Sequence, residues 1–228
     1  LKVEAGQTVA LVGPSGGGKT TAAGLVARFW DVNGGRVCLG GVDVKDISHK
    51  TLNQSVAYVF QDSSLLKTSI FENVRLGKPE ASRGEVLAAL HEAQCDDIIA
   101  KFPQGIDTVI GSKGVYLSGG EQQRIAIARV MLKDAPVLVL DEATAFADPE
   151  NEAAVQRAFE RLARGKTVIM IAHRLTTVQN ADMIYVLKEG RVAESGTHSQ
   201  LMQKAGIYHE MYDEYTTSIS WKVGGAKC

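Results

Sequence analysis

TVALVGPSGGGKTTAAGLVARF, Thr8 to Phe29, decides the fold. TVALV, Thr8 to Val12, is short, apolar and rich in β-branched side chains, as expected of a strand buried on both faces. The stretch from Thr20 to Phe29 lacks proline and sets Ala22, Leu25, Val26 and Phe29 at helical spacing. Between strand and helix, four glycines fall among the six residues Gly13 to Gly18. Each glycine costs conformational entropy on folding, so such a cluster needs a backbone conformation closed to other residues. In a strand, loop, helix frame the spacing Gly-x-x-x-x-Gly-Lys-Thr has a mechanical meaning. Successive N–H groups turn inward to cradle phosphate oxygens at the positive end of the helix. Lys19 reaches the β- and γ-phosphates and the Thr20 hydroxyl ligates magnesium. The competing reading is a flexible loop with one exposed lysine. The motif alone names neither the nucleotide nor its fate.

At 228 residues the chain suits one large domain or one domain with a substantial insertion. Lys and Arg number 25 against 26 Asp and Glu, a formal net charge of -1, which gives no global attraction to nucleic acid or to an acidic membrane surface. Cys38, Cys95 and Cys228 are far apart and form no Cys-x-x-Cys pair, which argues against a metal site or disulfide framework and suits a reducing compartment. No apolar run approaches the ~20 residues of a membrane span, and no signal peptide opens the sequence. On its own the polypeptide reads as soluble.

Two further buried strands are expected, Val137 to Leu140 and Thr167 to Ala172. They flank a helix from about Pro149 to Ala163, with Asp148 as N-cap and Pro149 at the first helical position. Strand, helix, strand implies a parallel pair with a right-handed crossover. The expected core is therefore α/β, a mostly parallel sheet flanked by helices. From about Ser82 to Lys133 only helices are expected, and this reads as a helical subdomain inserted into the core. One helix opens with the capping box Ser82-x-x-Glu85, followed by Val86, Leu87, Leu90 and Ala93; another runs from about Gly120 to Lys133. MIYVLKEGRVAES alternates around Glu189-Gly190 and predicts a hairpin, after which Thr197-x-x-Gln200 caps a short helix. Thr217 to Cys228 carries no readable pattern.

In VLVLDE, Val137 to Glu142, four apolar residues end in two carboxylates. Asp141 falls at the carboxyl edge of a buried strand, where ligands of open α/β sheets collect, and an acidic group there can hold a phosphate-bridging magnesium. Glu142 can orient or deprotonate an attacking water. The competing reading is a strand running into an acidic loop. In LSGGEQQR, Leu117 to Arg124, two glycines open a helix, with Ser118 and Glu121 at capping-box spacing. This is either a capped helix alone or a second anion site at a helix N-terminus. Two anion sites in one chain suggest that the halves of a dimer complete each other.

LSGGEQQR resembles the signature of the ATP-binding cassette family, and further segments fit that family in order. GPSGGGKT resembles its Walker A loop, Gln61 in VFQDSSLL its Q-loop, VLVLDE its Walker B strand, Asp148 its D-loop, and His173 in IAHRL its switch histidine. The match runs from Gly6 to about Met202. SIFENVRLG and DTVIGSKGVYLSGGEQQR look like the exporter-type transporters, in which this domain is joined to a membrane domain.

The resemblance implies a P-loop NTPase core spanning residues 1–228 with an inserted helical subdomain, using ATP and magnesium. Nucleotide contacts are implied for Gly13, Pro14, Ser15, Gly16, Gly17, Gly18, Lys19, Thr20 and Thr21. Two copies would pack head to tail, so that Ser118, Gly119, Gly120, Gln122 and Asp148 meet the partner's nucleotide. Thr20, Asp141 and Gln61 would arrange magnesium and water, Glu142 would act as general base, and His173 would contact the γ-phosphate. The implied partners are a membrane domain and a second nucleotide-binding domain, identical or not, with no nucleic acid, at the cytoplasmic face of a membrane. Of themselves, Gln61 and His173 read equally as a polar loop residue and a satisfied histidine at a strand end.

The pattern also departs from the family. The adenine-stacking aromatic normally lies upstream of the Walker A strand, and this chain begins at Leu1, close to that strand. A piece cut from a longer transporter is expected, with weakened nucleotide affinity and stability. The usual Ser-Ala-Leu-Asp of the D-loop stands as Ala145-Phe146-Ala147-Asp148, so contacts made by the serine are lost. Ser112, beside Lys113, occupies a position where exporters commonly carry glutamate, which implies altered coupling to membrane helices. DEATAFADPENE resembles a subset of exporter-fold cassettes associated with siderophore or iron uptake; a small hydrophobic substrate fits the exporter pattern as well. Two alternatives stand beside an ATPase that powers transport: a soluble cassette acting on nucleic acid, and a regulatory nucleotide-binding module with little turnover.

Overall fold

The computed structural model describes residues 1–60, 65–111, 115–141, 149–172 and 174–224. In chain order the elements are β1 (Thr8–Val12), α1 (Lys19–Val26), β2 (Cys38–Leu39), β3 (Val42–Asp43), α2 (His49–Ser55), β4 (Val56–Val59), α3 (Ile70–Arg75), α4 (Arg83–Glu92), α5 (Asp96–Ala100), α6 (Gly119–Lys133), β5 (Val137–Asp141), α7 (Pro149–Ala163), β6 (Thr167–Ile171), β7 (Met183–Lys188), β8 (Arg191–Gly196), α8 (His198–Lys204) and α9 (Ile207–Gly224). The strands form a mostly parallel six-stranded sheet in the order β4-β5-β6-β1-β7-β8, and β2 and β3 form a separate antiparallel ribbon. Among the described residues no helix is long and apolar enough to cross a membrane.

The chain falls into two compact units: residues 1–47, 139–142 and 167–228, and residues 48–138 and 143–166. In the first unit β1 lies between two parallel neighbours, with Thr8 opposite Val168 on β6 and Val9 opposite Met183 on β7. Val9, Ala10, Leu11 and Val12 are all buried, as a strand covered on both faces requires. The expected helix after the glycine loop is shorter than its spacing suggests. Arg28 takes φ 54°, while Phe29 N–H bonds to Gly24 O at 3.0 Å and Arg28 N–H to Leu25 O at 3.1 Å. This Schellman arrangement stops α1. The buried residues are Ala23 and Gly24 in place of Ala22 and Leu25, and Phe29 is 45% exposed beyond the helix end.

β7 and β8 form the expected hairpin, with Glu189 at φ 51° and Gly190 at φ 73°. Two left-handed residues match the right-handed twist of the strands. Thr197 and Gln200 close the capping box that opens α8. α9 runs to Gly224, through most of the stretch in which the sequence shows no readable pattern. Its opening is secured by the Glu194 carboxylate, which accepts Ile207 N–H at 2.8 Å and Tyr208 N–H at 3.1 Å. Tyr208 is buried, and Ile207, Met211, Tyr212 and Tyr215 pack with it against the core. Thr216 and Ser218 donate their hydroxyls to carbonyls one turn back, at Tyr212 and Tyr215, so residues that usually compete with a helix are satisfied inside it.

The second unit is held by its helix caps. Ser48, Ser69, Ser82 and Ser118 open α2, α3, α4 and α6, the last two through full capping boxes. Val86, Ala89, Leu90 and Ala93 form the buried face of α4, and Leu87, expected to join them, is 43% exposed. α6 carries Ile125, Ile127 and Ala128 into the core and ends at Asp134 in the left-handed region. Buried Asn73 satisfies a bend ahead of α3, accepting Leu66 N–H at 2.8 Å and donating to Leu66 O and Ser69 O at 3.0 Å each. α7 occupies the expected residues.

Candidate functional site

The glycine loop leaves the buried end of β1 and enters α1 through Gly18, whose φ of 96° is open to glycine and strained for other residues. A second neighbour, distant in sequence, shapes the loop. A Cβ on Gly13 would lie 2.0 Å from the Leu187 carbonyl oxygen on β7, and one on Gly17 would lie 2.5 Å from the same atom. Main chain therefore approaches main chain with no room for a side chain.

Lys19 is 7% exposed and folds back on its own loop, donating from Nζ to Gly13 O at 2.8 Å and Pro14 O at 2.9 Å. Gly17 N–H also bonds to Pro14 O, at 3.1 Å, and Gly17 O accepts Gly190 N–H at 3.1 Å. In a trans peptide the carbonyl and the next N–H point opposite ways. Engaging the carbonyls of Pro14 and Gly17 thus turns the N–H groups of Ser15 and Gly18 outward from those partners. Burial lowers the Lys19 pKa below the usual lysine value, and the Asp141 carboxylate partly offsets this by favouring the charged form. Asp141, at the end of β5, is 7% exposed, while Ser15, Gly16, Thr20 and Thr21 lie on the surface. The Thr20 hydroxyl and the Asp141 carboxylate are hard oxygen donors of the kind magnesium takes.

The second group lies in the other unit. Ser118 Oγ accepts Glu121 N–H at 3.3 Å, and Glu121 Oε2 accepts Ser118 N–H at 2.7 Å. Lys101 donates to the other Glu121 oxygen. Burial pushes the Glu121 carboxyl up, yet Lys101 and the Ser118 N–H and hydroxyl outweigh it and hold the group below the usual carboxylate range. The Gln122 side chain donates to Leu117 O at 2.8 Å, closing the turn ahead of α6. Gly120 packs so closely on α7 that an added Cβ would lie 2.9 Å from the Asn151 Cβ. One turn later Arg124 donates to Asn151 Oδ1 at 3.0 Å and forks onto Asp97 at 2.7 and 3.1 Å.

The structure thus brings Gly13 to Thr21 together with Asp141, and Ser118 to Gln122 into one helix opening. Gln61, Glu142, Asp148 and His173 lie outside the described residues, as do Ser112, Lys113 and Ala145 to Ala147. Sequence reasoning missed Leu187, Gly190, Arg124 and Asn151. Gly190 carried a local signal, as half of a hairpin turn, but nothing in the sequence tied it to the loop.

The family model described as ABC transporter matches residues 1–145. The chain is 48% identical over 213 residues to the mycobactin import ATP-binding/permease protein IrtA of Mycolicibacterium smegmatis, covering 93% of this chain and 25% of that protein. It is 45% identical over 212 residues to the putative multidrug export ATP-binding/permease protein YgaD of Bacillus subtilis, covering 93% of this chain and 37% of that protein. It is 46% identical over 221 residues to a mitochondrial potassium channel ATP-binding subunit of Mus musculus, covering 96% and 31%. Among solved structures, a bacterial Atm1-family ABC exporter with ATP bound superposes with a TM-score of 0.87 at 43% identity, over 94% of this chain and 37% of the other. The chain therefore spans between 25% and 37% of the length of these proteins. With the phosphate-type loop, the capped signature helix and these similarities in agreement, the chain belongs to the ABC transporter family, as a nucleotide-binding domain of the exporter type.

Proposed function

We propose that this domain binds ATP with magnesium, hydrolyses it in a head-to-tail pair, and so powers movement of a substrate through a membrane domain. The observation that carries the reading is the buried Lys19, clasped by Gly13 and Pro14 carbonyls with the Asp141 carboxylate as its charged neighbour. A lysine desolvated in this way gains most from an anion that restores its favoured charge. The N–H groups of Ser15 and Gly18 and the exposed Thr20 and Thr21 add donors around it.

In this mechanism the loop and Lys19 hold the β- and γ-phosphates, while Thr20, Asp141 and Gln61 hold magnesium. Bound magnesium neutralises charge on the phosphate oxygens. Glu142 accepts the proton of the attacking water, and His173 contacts the γ-phosphate. Ser118, Gly119, Gly120 and Gln122 of each copy close on the nucleotide held by the other, with Asp148 at the seam. The relatives named as ATP-binding/permease proteins support a membrane domain as partner and the cytoplasmic face of a membrane as location. The relative named for mycobactin import and the run DEATAFADPENE support a siderophore as substrate, and the relative named for multidrug export supports a small hydrophobic compound. Disrupting the full-length gene is expected to impair siderophore-dependent growth; normal growth would remove the siderophore assignment.

Light scattering of Glu142→Gln with and without ATP and magnesium tests the pair. Loss of a general base slows hydrolysis by about 10² to 10⁴, so a closed dimer accumulates. The mass is expected to double only with ATP. A monomer in both conditions, with ATP demonstrably bound, would sink the head-to-tail reading for this chain.

A further inference from the structure

The mechanism above uses donors on the loop but leaves open what holds them in place. Three contacts converge on one feature, the β7–β8 hairpin. The Leu187 carbonyl fills the space where side chains on Gly13 and Gly17 would stand. Gly190 N–H bonds to Gly17 O at 3.1 Å. A Cβ on Gly18 would lie 3.3 Å from Gly190 Cα. The β7–β8 register shifts between Val186 and Leu187, and bulges of this kind re-aim a peptide group. Here the peptide beside the shift is the one whose oxygen faces the loop. The exposed turn that follows has an otherwise open side: nothing lies within 4 Å of a Cβ added to Gly190.

We infer that the Glu189–Gly190 turn is a positioning element of the nucleotide site, its Gly190 N–H fixing the Gly17–Gly18 peptide so that Gly18 N–H faces the phosphates. The inference rests on the ATP-binding reading. Gly17 O and Gly18 N–H belong to one planar peptide, so anchoring the carbonyl anchors the opposed donor. Without that anchor the peptide can flip, because Gly17 and Gly18 lack the Cβ that would bar other backbone angles. Gly190 touches no phosphate in this scheme; it acts through Gly17 and Gly18.

The test removes one hydrogen. Replacing Gly190 by glycolic acid turns its amide into an ester and deletes the N–H without altering any side chain. Gly190→Asn is the conservative control, because asparagine keeps the N–H and tolerates the left-handed region. Binding of inorganic tripolyphosphate and of ATP with magnesium is measured for each full chain, beside the ligand-free unfolding midpoint. The ester is expected to weaken both probes by about tenfold or more, since the Gly18 N–H is no longer held toward the charged phosphate, with the midpoint little changed. Gly190→Asn is expected to bind within about twofold of the unmodified chain. An ester that binds as the unmodified chain does overturns the inference alone. Losses in both variants that track lowered midpoints overturn it too, assigning the turn a purely structural role. An unmodified chain that binds neither probe removes the ATP reading, and the inference with it.

Discussion

Arg124 donates to Asn151 Oδ1 at 3.0 Å, one turn along α6 from Gly120, whose missing side chain leaves the room that Asn151 fills. The opening of the signature helix and the first turn of α7 are therefore joined twice, by a hydrogen bond and by close packing.

Arg124 is buried, and its guanidinium also forks onto Asp97. Arg124→Ala strips one donor group from several acceptors at once, and the expected loss of stability in urea unfolding is about 3 kcal/mol. Arg124→Lys is expected to recover less than half of this, because an ammonium cannot reproduce the fork. A loss below about 1 kcal/mol for the alanine variant would show the network to be energetically idle.

The loop glycines separate by cause. Gly13→Ala drives a Cβ to 2.0 Å from Leu187 O, so main chain must move, and a cost of about 2 to 4 kcal/mol with loss of ATP binding is expected. Gly16→Ala meets nothing within 4 Å and carries only the strain of φ 75°, about 1 to 2 kcal/mol. Thermal unfolding and nucleotide titration of the two variants should differ clearly. Equal effects would mean that the Leu187 contact does not constrain the loop.

The depressed Lys19 pKa predicts a pH dependence for the proposed nucleotide binding. Only the ammonium attracts phosphate, so affinity should fall as pH rises through the lowered value of the free protein, by up to about tenfold per unit. Stability moves the other way: between the folded and unfolded values the unfolded chain holds more protons, and stability rises with pH. Titration calorimetry in buffers of different ionisation heat should detect proton uptake on binding at alkaline pH. Lys19→Arg should abolish that uptake, and an uptake unchanged in the variant would point to another group.

Glu85 supplies an acid-side counterpart. The Lys78 ammonium at 2.5 Å, then the Ser82 N–H and hydroxyl, hold its carboxyl down at about 2, from an ordinary 4.5. Its folded pKa is depressed, so its contribution is present above the unfolded value and is lost as pH falls from there through about 2. Glu85→Gln should flatten that part of the stability profile and leave the neutral-pH rate of ATP hydrolysis alone. An unchanged acid profile would count against the capping contact.

Legibility followed the range of the interactions. β1, the hairpin and the capping boxes at Ser82, Ser118 and Thr197 were readable because each depends on residues within a few positions of one another. The face of α1 was misread because Arg28 adopts a left-handed conformation that no residue preference announces, which cut Phe29 from the helix. Spacing alone puts Leu87 in the core, yet the buried face of α4 runs through Ala89. α9 was obscured by Thr216, Thr217 and Ser218, poor helix formers in isolation, and its start depends on Glu194 across a chain reversal. Motif spacing singles out Lys19 and Thr20 in the glycine loop and, separately, Ser118 at the opening of α6. Leu187 and Asn151 were not, since they reach the glycines only through the packed fold.

The obstacle that demands glycine at position 13 is a carbonyl oxygen, which every amino acid carries. No exchange of residue 187 can make room for a larger residue there, so second-site suppressors of Gly13→Ala should not arise at that position. Gly206 offers the contrast, because its added Cβ would meet the Glu194 side chain at 2.1 Å, and a shorter residue at 194 clears that space while giving up the carboxylate that anchors the start of α9. A genetic screen would thus find partial suppressors of a Gly206 substitution at position 194 and no suppressors of Gly13→Ala at position 187.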